Sequence, residues 1–376
     1  MKIILAPDSF KECLSAVQVC RALETGVRRA LPQAVIISLP LADGGEGTVE
    51  ALVSAVGGEL RTQAVIGPNG EPVTASWGML RGDTAVIEMA AAAGLALVPP
   101  EKRNPLHTTA FGFGQVIRAA LDAGAKTLLL GIGGSATNDC GLGMAQALGT
   151  DFYDENGRID APLTGGDMAR ITRIDIGGMD RRLATATVRV ACDVDNPLLG
   201  PRGAAYVYGP QKGATPEIVE RLEAGASHVI DLLEAQTRPV RNLPGAGAAG
   251  GMGAGLCALM NAQLLSGVDL VLDAYRFDEK LAGADLILTG EGKIDEQTAM
   301  GKTVSGVLKR AARAGVPVIA LAGAALEGGA LFAQGLTSLF SICDRPMSLQ
   351  ESMSDAERLI AQATERVVRV FSAARA

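Results

Sequence analysis

The chain has 376 residues, of which 48% are apolar, 20% are charged and 3% are aromatic, and its formal net charge is −7. This length predicts two domains, and the composition allows each of them to bury a substantial core. Sequence-independent nucleic-acid binding needs a concentrated patch of lysine and arginine. No long basic run occurs, so we expect no nucleic-acid partner.

Cysteine and histidine usage excludes several classes of site. The six cysteines form no Cys-x-x-Cys pair, which predicts reduced thiols rather than disulfides or a zinc site. Two histidines, His107 and His228, are too few for a histidine-rich metal site and disfavour a Ser-His-Asp hydrolase. The first apolar run is too short for a signal peptide, and no run approaches the roughly 20 residues that span a bilayer. We therefore expect a cytoplasmic protein.

The first sixty residues alternate apolar runs with helical patterns. Residues 3–6 and 35–39 predict short buried strands, each followed by a turn. Residues 15–30, capped by Ser15, and residues 48–56 predict helices. This repeated strand-turn-helix pattern is typical of the beginning of a parallel sheet.

The pattern changes after residue 60. Alternating runs at 61–66, 73–80 and 84–88 predict antiparallel strands. Beyond them we predict strands at 127–130 and 187–192, helices at about 108–123, 142–148 and 215–236, and a Gly/Ala-rich stretch at 244–255. The middle of the chain therefore predicts an α/β domain that includes antiparallel strands.

Strand-helix alternation resumes near residue 284. We predict strands at 285–289, 316–321 and 336–341, and helices at 302–314, 327–334 and 349–374. The whole pattern predicts an α/β protein of two domains. A flavodoxin- or Rossmann-like parallel-sheet domain would comprise residues 1–60 and 284–376, with a mixed α/β domain, 61–283, inserted into it. An active site is expected in the cleft between these domains.

Five segments combine glycine with carboxylates or lysine directly after a predicted strand. They are PDSFK (7–11), ADGGEG (42–47), GIGGSATND (131–139), ACDVDNP (191–197) and TGEGKID (289–295). Glycine lets backbone amides approach an anion, carboxylates suit Mg²⁺, and lysine neutralises phosphate charge. Each segment alone could be a simple turn or a helix cap. Their recurrence at strand ends, where open α/β sheets bind ligands, favours phosphoryl transfer.

A dinucleotide site is the main alternative. Gly131-x-Gly133-x-x-Ala136 follows a predicted strand, and Asp151 and Asp154 lie about 20 residues further on, as the dinucleotide fingerprint expects. The helix that should follow would contain several residues that disfavour helix interiors. An NAD-type oxidoreductase acting on a small hydroxy acid therefore stays open as a second hypothesis.

A nucleotide site of the P-loop type is excluded. Gly301-Lys302-Thr303 ends like a Walker A motif, but Glu296 stands where the first glycine is required. A third hypothesis, a non-catalytic nucleotide-binding module, remains open because binding motifs alone do not prove turnover.

Taken together, the segments resemble the bacterial type I glycerate kinases, nearly from end to end. The resemblance lies in eight blocks in order: APDSFKECLSA (6–16), PLADGGEGT (40–48), IEMAAAAGL (87–95), GIGGSATND (131–139), ACDVDNPLLG (191–200), YGPQKGA (208–214), PGAGAAGGMGAGL (244–256) and TGEGKIDEQTAMGK (289–302). It implies a flavodoxin-like domain built from both termini and, as cofactors, ATP and Mg²⁺. It also implies phosphate transfer to the 2-hydroxyl of D-glycerate, giving 2-phosphoglycerate.

The chain departs from this family at a few positions. Cys140 stands where glycine is usual after Asn-Asp, and Val304 replaces a common proline. Residues 110–113 replace a more polar run, which puts hydroxyl roles at 110 and 113 in doubt. None of these departures removes a charged candidate.

The site residues that we predict fall into three groups. Asp193 orients or deprotonates the attacking hydroxyl, a helix cap or a metal ligand being the alternatives, while Lys11 and Lys293 neutralise phosphate or substrate carboxylate. Predicted substrate contacts are Asp8, Ser9, Lys212 and Asp295. Predicted nucleotide contacts are Asp43, Gly44, Gly45, Glu46, Gly133, Gly134, Ser135, Asn138, Gly290, Glu291 and Gly292, with Asp43, Glu46 and Glu291 as Mg²⁺ candidates. The expected partner is the small-molecule substrate, glycerate, with no membrane partner, and the protein is expected to be a monomer or a homodimer.

Overall fold

The computed structural model describes residues 1–294, 302–326 and 329–374. Its contacts divide the chain into two compact units. The terminal unit comprises residues 1–43, 50–57 and 271–376, and the central unit comprises residues 44–49 and 58–270. These units are defined by contacts alone. The bounds predicted from the sequence describe domains that fold independently, and they stay a prediction.

The described residues form strands and α-helices with the following bounds. The described strands are β1 Lys2–Leu5, β2 Val35–Ser38, β3 Gly58–Ile66, β4 Pro72–Leu80, β5 Thr84–Glu88, β6 Thr127–Gly131, β7 Asp151–Asp154, β8 Gly157–Arg158, β9 Arg173–Asp175, β10 Thr187–Ala191, β11 Gln263–Leu265, β12 Leu286–Ile294, β13 Val318–Ala325 and β14 Leu336–Ser341. The described α-helices are Ala16–Ala30, Thr48–Val56, Ala90–Ala93, Phe111–Asp122, Leu142–Ala147, Ala204–Tyr208, Pro216–Glu234, Ala248–Met260, Gly267–Ala274, Phe277–Leu281, Lys302–Ala314, Gly329–Ala333, Leu349–Ser354 and Ala356–Ala373. None of these helices combines the length and apolar content needed to cross a bilayer.

The terminal unit contains a five-stranded parallel sheet in the order β14-β13-β12-β1-β2. Numbered within this sheet, the order is 2-1-3-4-5, the flavodoxin-like arrangement. Ile3, Ile4 and Leu5 of β1 are fully buried, as expected for a strand covered by helices on both faces. Because its strands come from both ends of the chain, the predicted flavodoxin-like sheet is confirmed.

Helix Ala16–Ala30 packs on this sheet, and the local sequence determines where the helix begins. Ser15 Oγ accepts a hydrogen bond from Gln18 N, and Gln18 Oε1 accepts one from Ser15 N, so both amides at the helix start are satisfied. Gly26 faces helix Ala356–Ala373, where a Cβ would come within 2.3 Å of Ala361 O. Glycine therefore allows these two helices to pack closely.

The central unit contains a six-stranded mixed sheet in the order β11-β10-β6-β5-β4-β3 and a small sheet in the order β8-β7-β9. Strands β11, β10, β6 and β5 are parallel, whereas β4 and β3 are antiparallel to their neighbours. The predicted mixed α/β architecture is confirmed. The antiparallel run predicted at 61–88 ends in β5, which also pairs in parallel with β6 and joins the hairpin to the parallel strands.

The structure corrects the prediction for residues 289–294. We expected a glycine turn there, but β12 continues to Ile294 and pairs with β13 through Lys293 and Ile294. The neighbouring strand contains Ala322, Gly323 and Ala324 near its end, and their small side chains favour close pairing of a glycine-containing strand. The Gly-Glu-Gly-Lys segment is therefore extended, and is not an anion-cradling turn.

One helical prediction is also corrected, and one stretch for which no element was predicted is helical. Residues 349–374 form two helices, because Asp355 leaves the helical conformation (φ −115°) and accepts from Arg358 Nε at 2.7 Å. The Gly/Ala-rich stretch forms helix Ala248–Met260, although Ala249, Gly250 and Gly251 are left-handed within it. The high glycine content gives this segment a low helix propensity, so no helix was predicted there. Burial of most of its residues stabilises the helix.

Candidate functional site

In the terminal unit, the turn after β1 fixes the carboxylate of Asp8. Asp8 N donates to Gly290 O of β12 at 2.8 Å, and Asp8 Oδ1 accepts from Ser9 N at 2.6 Å. Thr303 Oγ1, in the first turn of helix Lys302–Ala314, donates to Asp8 Oδ2 at 2.7 Å. Burial raises the pKa of Asp8, these hydrogen bonds lower it, and the negative charge of Asp43 raises it again. Asp8 and Asp43 are therefore neighbouring carboxylates.

The same edge of the terminal sheet brings together most of the charged residues predicted for this unit. Gly292 lies beside the turn, since a Cβ there would be 3.5 Å from Phe10 Cα and 3.7 Å from Lys11 N. Lys11 and Lys293 are exposed. Glu291 and Lys293 are two residues apart in β12, so both side chains leave the same face of the strand. Asp295 lies outside the described residues.

In the central unit, three glycines allow two predicted loops to touch. A Cβ on Gly131 would come within 2.2 Å of Gly44 O, and one on Gly133 within 3.4 Å of Gly45 Cα. Gly44 has φ +87°, and a Cβ there would overlap Ala191 Cβ at 2.0 Å. Side chains are therefore excluded from this contact, which gathers the ends of β6 and β10 around residues 44–45.

Glu88, at the carboxyl end of β5, organises the loop before helix Thr48–Val56. Its Oε1 accepts from Val49 N at 2.7 Å, and the amides of Gly47 and Thr48 also bond to its carboxylate. Burial raises its pKa, against these hydrogen bonds, and the nearby charge of exposed Glu46 raises it further. Sequence reasoning missed this role. A glutamate ending a buried strand was the available signal.

The loop between β6 and helix Leu142–Ala147 has an exposed tip and a buried base. Gly133 and Gly134 are exposed, and Gly134 has φ +69°. The loop is fixed by hydrogen bonds from Leu95 N to Gly134 O and from Ala136 N to Ala93 O, both 2.8 Å. After β6 ends at Gly131, the next helix begins only at Leu142, so the helix that a dinucleotide fingerprint requires does not directly follow Gly131.

The base of this loop contains Lys212, predicted as a substrate contact. Lys212 is buried, with only 2% of its surface exposed to solvent. Lys212 Nζ donates to Thr137 O at 2.6 Å and Ser135 Oγ at 3.0 Å, and lies 3.5 Å from Asn138 Oδ1. Burial lowers its pKa to about 7, although the negative charge of Asp139 acts in the opposite direction. The structure thus brings Lys212 together with the predicted nucleotide contacts Ser135 and Asn138.

Asp139 is fully buried beside them and was not among the predicted site residues. Its Oδ2 accepts from Ala110 N at 2.9 Å and Gly143 N at 3.3 Å, and its Oδ1 accepts from Gly141 N at 3.1 Å. Burial raises its pKa, and these amide donors lower it. One carboxylate therefore joins the loop to the starts of two helices.

Asp193 follows β10 and is half-buried. Its Oδ1 accepts from Gly267 N at 3.0 Å, at the start of helix Gly267–Ala274. The helix-capping alternative is therefore observed. A capping bond also orients the carboxylate, so it does not conflict with a catalytic role, which stays a prediction.

The described side chains fit a magnesium site only if oxygen atoms of the substrate supply the remaining ligands. In the described ranges, no three His, Cys, Asp or Glu side chains are grouped as a metal would need. Mg²⁺ commonly uses one or two carboxylates and fills its remaining positions with water and phosphate oxygens. Asp8 and Asp43, the second of which raises the pKa of the first by its charge, are the candidate carboxylates for that smaller set.

Comparison with known proteins agrees with the resemblance found in the sequence. The profile of the Glycerate kinase family matches residues 3–372. A glycerate kinase from Halalkalibacterium halodurans is 50% identical over 376 residues, covering 98% of each chain. The glycerate 2-kinase of Escherichia coli is 46% identical over 370 residues, covering 98% of this chain and 97% of its own. A solved structure assigned to glycerate kinase 2 of Salmonella typhimurium LT2 aligns with a TM-score of 0.92 at 46% identity, covering 100% of this chain and 99% of the other. The resemblance is confirmed, and this chain belongs to the glycerate kinase family.

Proposed function

We propose that this protein transfers a phosphoryl group from ATP to the 2-hydroxyl of D-glycerate, with Mg²⁺, giving 2-phosphoglycerate. The observation that supports this most strongly is identity of 46% to a protein named glycerate 2-kinase over nearly the whole of both chains. A second support is local. Glycine loops and charged groups occur at the carboxyl ends of parallel strands, the usual position of ligands in such sheets.

The exposed backbone at Gly133 and Gly134 is our candidate for the phosphate-binding element. Glycine amides can approach an anion closely, and a loop already fixed by hydrogen bonds loses little freedom when it binds. Ser135 and Asn138 belong to the same loop, and Gly44 and Gly45 pack on its first residues. These residues remain our proposed nucleotide contacts.

Magnesium would be bound through Asp43, with Asp8 as the second carboxylate, because a divalent cation would relieve the repulsion between them. When bound, it would supply positive charge to the phosphate oxygens during transfer. Glu46 and Glu291 remain candidate outer ligands that act through water. The protein's own contribution is to fix the Asp8 carboxylate, which Ser9 and Thr303 do by hydrogen bonds.

The acceptor is proposed to bind through Asp8, Ser9, Lys11 and Lys293, with Asp295 a further candidate. Two exposed lysines suit a small anionic acid. Asp193 is proposed to orient or deprotonate the attacking hydroxyl, since phosphoryl transfer requires positioning more than a strong base.

A coupled ADP-release assay tests this function. The purified protein should release ADP from ATP and Mg²⁺ with D-glycerate, and far more slowly with L-glycerate, glycolate or D-lactate. Phosphorus NMR should identify 2-phosphoglycerate as the product. ATP binding without ADP release would favour the non-catalytic module. NAD reduction by a hydroxy acid would favour the oxidoreductase.

Replacing Lys293 tests the acceptor and phosphate contacts. Hydrogen bonds to charged groups contribute about 1.5–3 kcal/mol, so Lys293→Ala should lower kcat/KM roughly 10–100-fold. The side chain is exposed, so thermal unfolding should change little. Lys309→Ala removes an exposed lysine elsewhere in the terminal unit and is the matched control. Unchanged KM and kcat in Lys293→Ala would remove this lysine from the site.

A further inference from the structure

We propose that Lys212 is a positioning residue, which fixes the loop 133–138 in its binding conformation and does not itself touch the substrate. The proposal deepens the proposed kinase function and rests on it, because it assigns that loop to the nucleotide phosphates. It replaces the role of substrate contact that the sequence predicts for Lys212.

The first argument is that the hydrogen-bond donors of Lys212 Nζ are already occupied by acceptors of the loop. A lysine ammonium has three N–H donors and no acceptor. Three acceptors of the loop surround Nζ, namely Thr137 O, Ser135 Oγ and, at the longest distance, Asn138 Oδ1. A side chain that is 2% exposed and already surrounded in this way has little capacity left for a ligand carboxylate.

The second argument is that Lys212 is itself fixed. It ends a short 3₁₀ turn, Pro210–Lys212, with Lys212 N donating to Gly209 O and Gly213 N donating to Pro210 O, both at 3.0 Å. Gly213 follows in the left-handed conformation, φ +92°, and a Cβ there would meet Arg103 O at 2.2 Å. The amine therefore extends from a closely packed turn.

The third argument is that the far end of the loop is secured as well. Asp139 accepts from three backbone amides, and Cys140, left-handed at φ +51°, donates its N–H to Gly250 O at 3.1 Å. A non-glycine residue in this conformation persists only where its surroundings enforce it. A buried amine and a buried carboxyl group thus hold adjacent parts of one loop, which leaves the Gly133–Gly134 tip exposed and preorganised.

The charge state of Lys212 provides a readout that is independent of activity. Its pKa is about 7 in the folded protein and about 10.4 in an unfolded chain. Asp139 is the charged group that acts on the amine, whereas Ser135, Thr137 and Asn138 are uncharged. Between these two pKa values the unfolded chain binds the additional proton, so stability should rise with pH from about 7 to about 10.

The experiment compares wild type with Lys212→Met, which keeps an unbranched side chain one atom shorter and removes the amine, and with Lys212→Gln, which keeps two N–H donors. Lys126→Met, which removes a largely exposed lysine of the same unit, is the control. We expect Lys212→Met to lower kcat about 100-fold, as misplacement of a binding group does, while KM for D-glycerate stays within about threefold. Lys212→Gln should fall between it and wild type.

Two further measurements separate positioning from substrate contact. Thermal unfolding scanned from pH 7 to 10 should lose its Lys212-dependent rise in the Met variant, and amide hydrogen exchange at 133–139 should accelerate. A tenfold rise in KM for D-glycerate at unchanged kcat, with unchanged exchange, would overturn the proposal. Unfolding and exchange need no substrate, so they test the role of Lys212 even if D-glycerate proves not to be the acceptor.

Discussion

Asp193→Asn should lower kcat by about 10²–10⁴, the range that a positioned acid-base group contributes. The structure makes this substitution informative, because an asparagine Oδ1 can still accept from Gly267 N and cap helix Gly267–Ala274. The fold should therefore remain intact while the carboxylate is lost. Steady-state ADP release measures the effect, and circular dichroism checks the fold.

Asp195→Asn is the matched control for that result. Asp195 lies two residues further on, its side chain is 75% exposed, and it pairs with Arg202 at the surface. Its removal should change kcat less than twofold, since such exposed ion pairs contribute little. If Asp193→Asn were as active as Asp195→Asn, Asp193 would only be a helix cap.

Asp139→Ala should destabilise the protein by about 3–5 kcal/mol, as removal of one partner from a buried charged network does. The three amides that now bond to the carboxylate would stay buried without an acceptor, and Lys212 would lose its neighbouring countercharge. Asp139→Asn should cost less, about 2–3 kcal/mol, because one oxygen remains. Urea unfolding followed by fluorescence and circular dichroism gives both values.

The control for Asp139 is Asp160→Ala, whose side chain is 83% exposed. Surface substitutions of this kind usually change stability by about 0.5 kcal/mol or less. An Asp139→Ala variant within about 1 kcal/mol of wild type would show that the loop finds other partners for its amides. Asp139 would then not be what secures the base of the loop.

Short-range patterns predicted much of the fold. The bounds of β1, of β14 and of the helix at 48–56 were predicted to within about a residue, because period and caps are local properties. The extension of β12 was missed, since its partner β13 is distant in sequence and glycine normally disfavours strands. The left-handed turn at 249–251 was not predicted, because it depends on close packing against residues 137–140, which are distant in sequence.

The candidate site was predictable only in part. Strand-end motifs placed Asp8, Lys11 and Lys293 at one edge of the terminal sheet, because parallel strands end on the same side. The roles of Lys212, Glu88 and Thr303 depend on partners that are 77, 39 and 295 residues away. Local sequence patterns do not predict contacts between residues so far apart in the chain. The burial and hydrogen bonds of these residues are therefore known only from the structure.

The flavodoxin-like sheet has a consequence for biosynthesis. Strand β1 pairs with β12, which begins at Leu286, so the sheet stays incomplete until the last quarter of the chain has been synthesised. At about 5–20 residues per second, the first two strands would wait roughly 10–50 s with an unsatisfied edge. During that interval the ribosome-bound chain exposes an apolar strand, which predicts a dependence on chaperones and a yield that improves when translation is slowed by cooling.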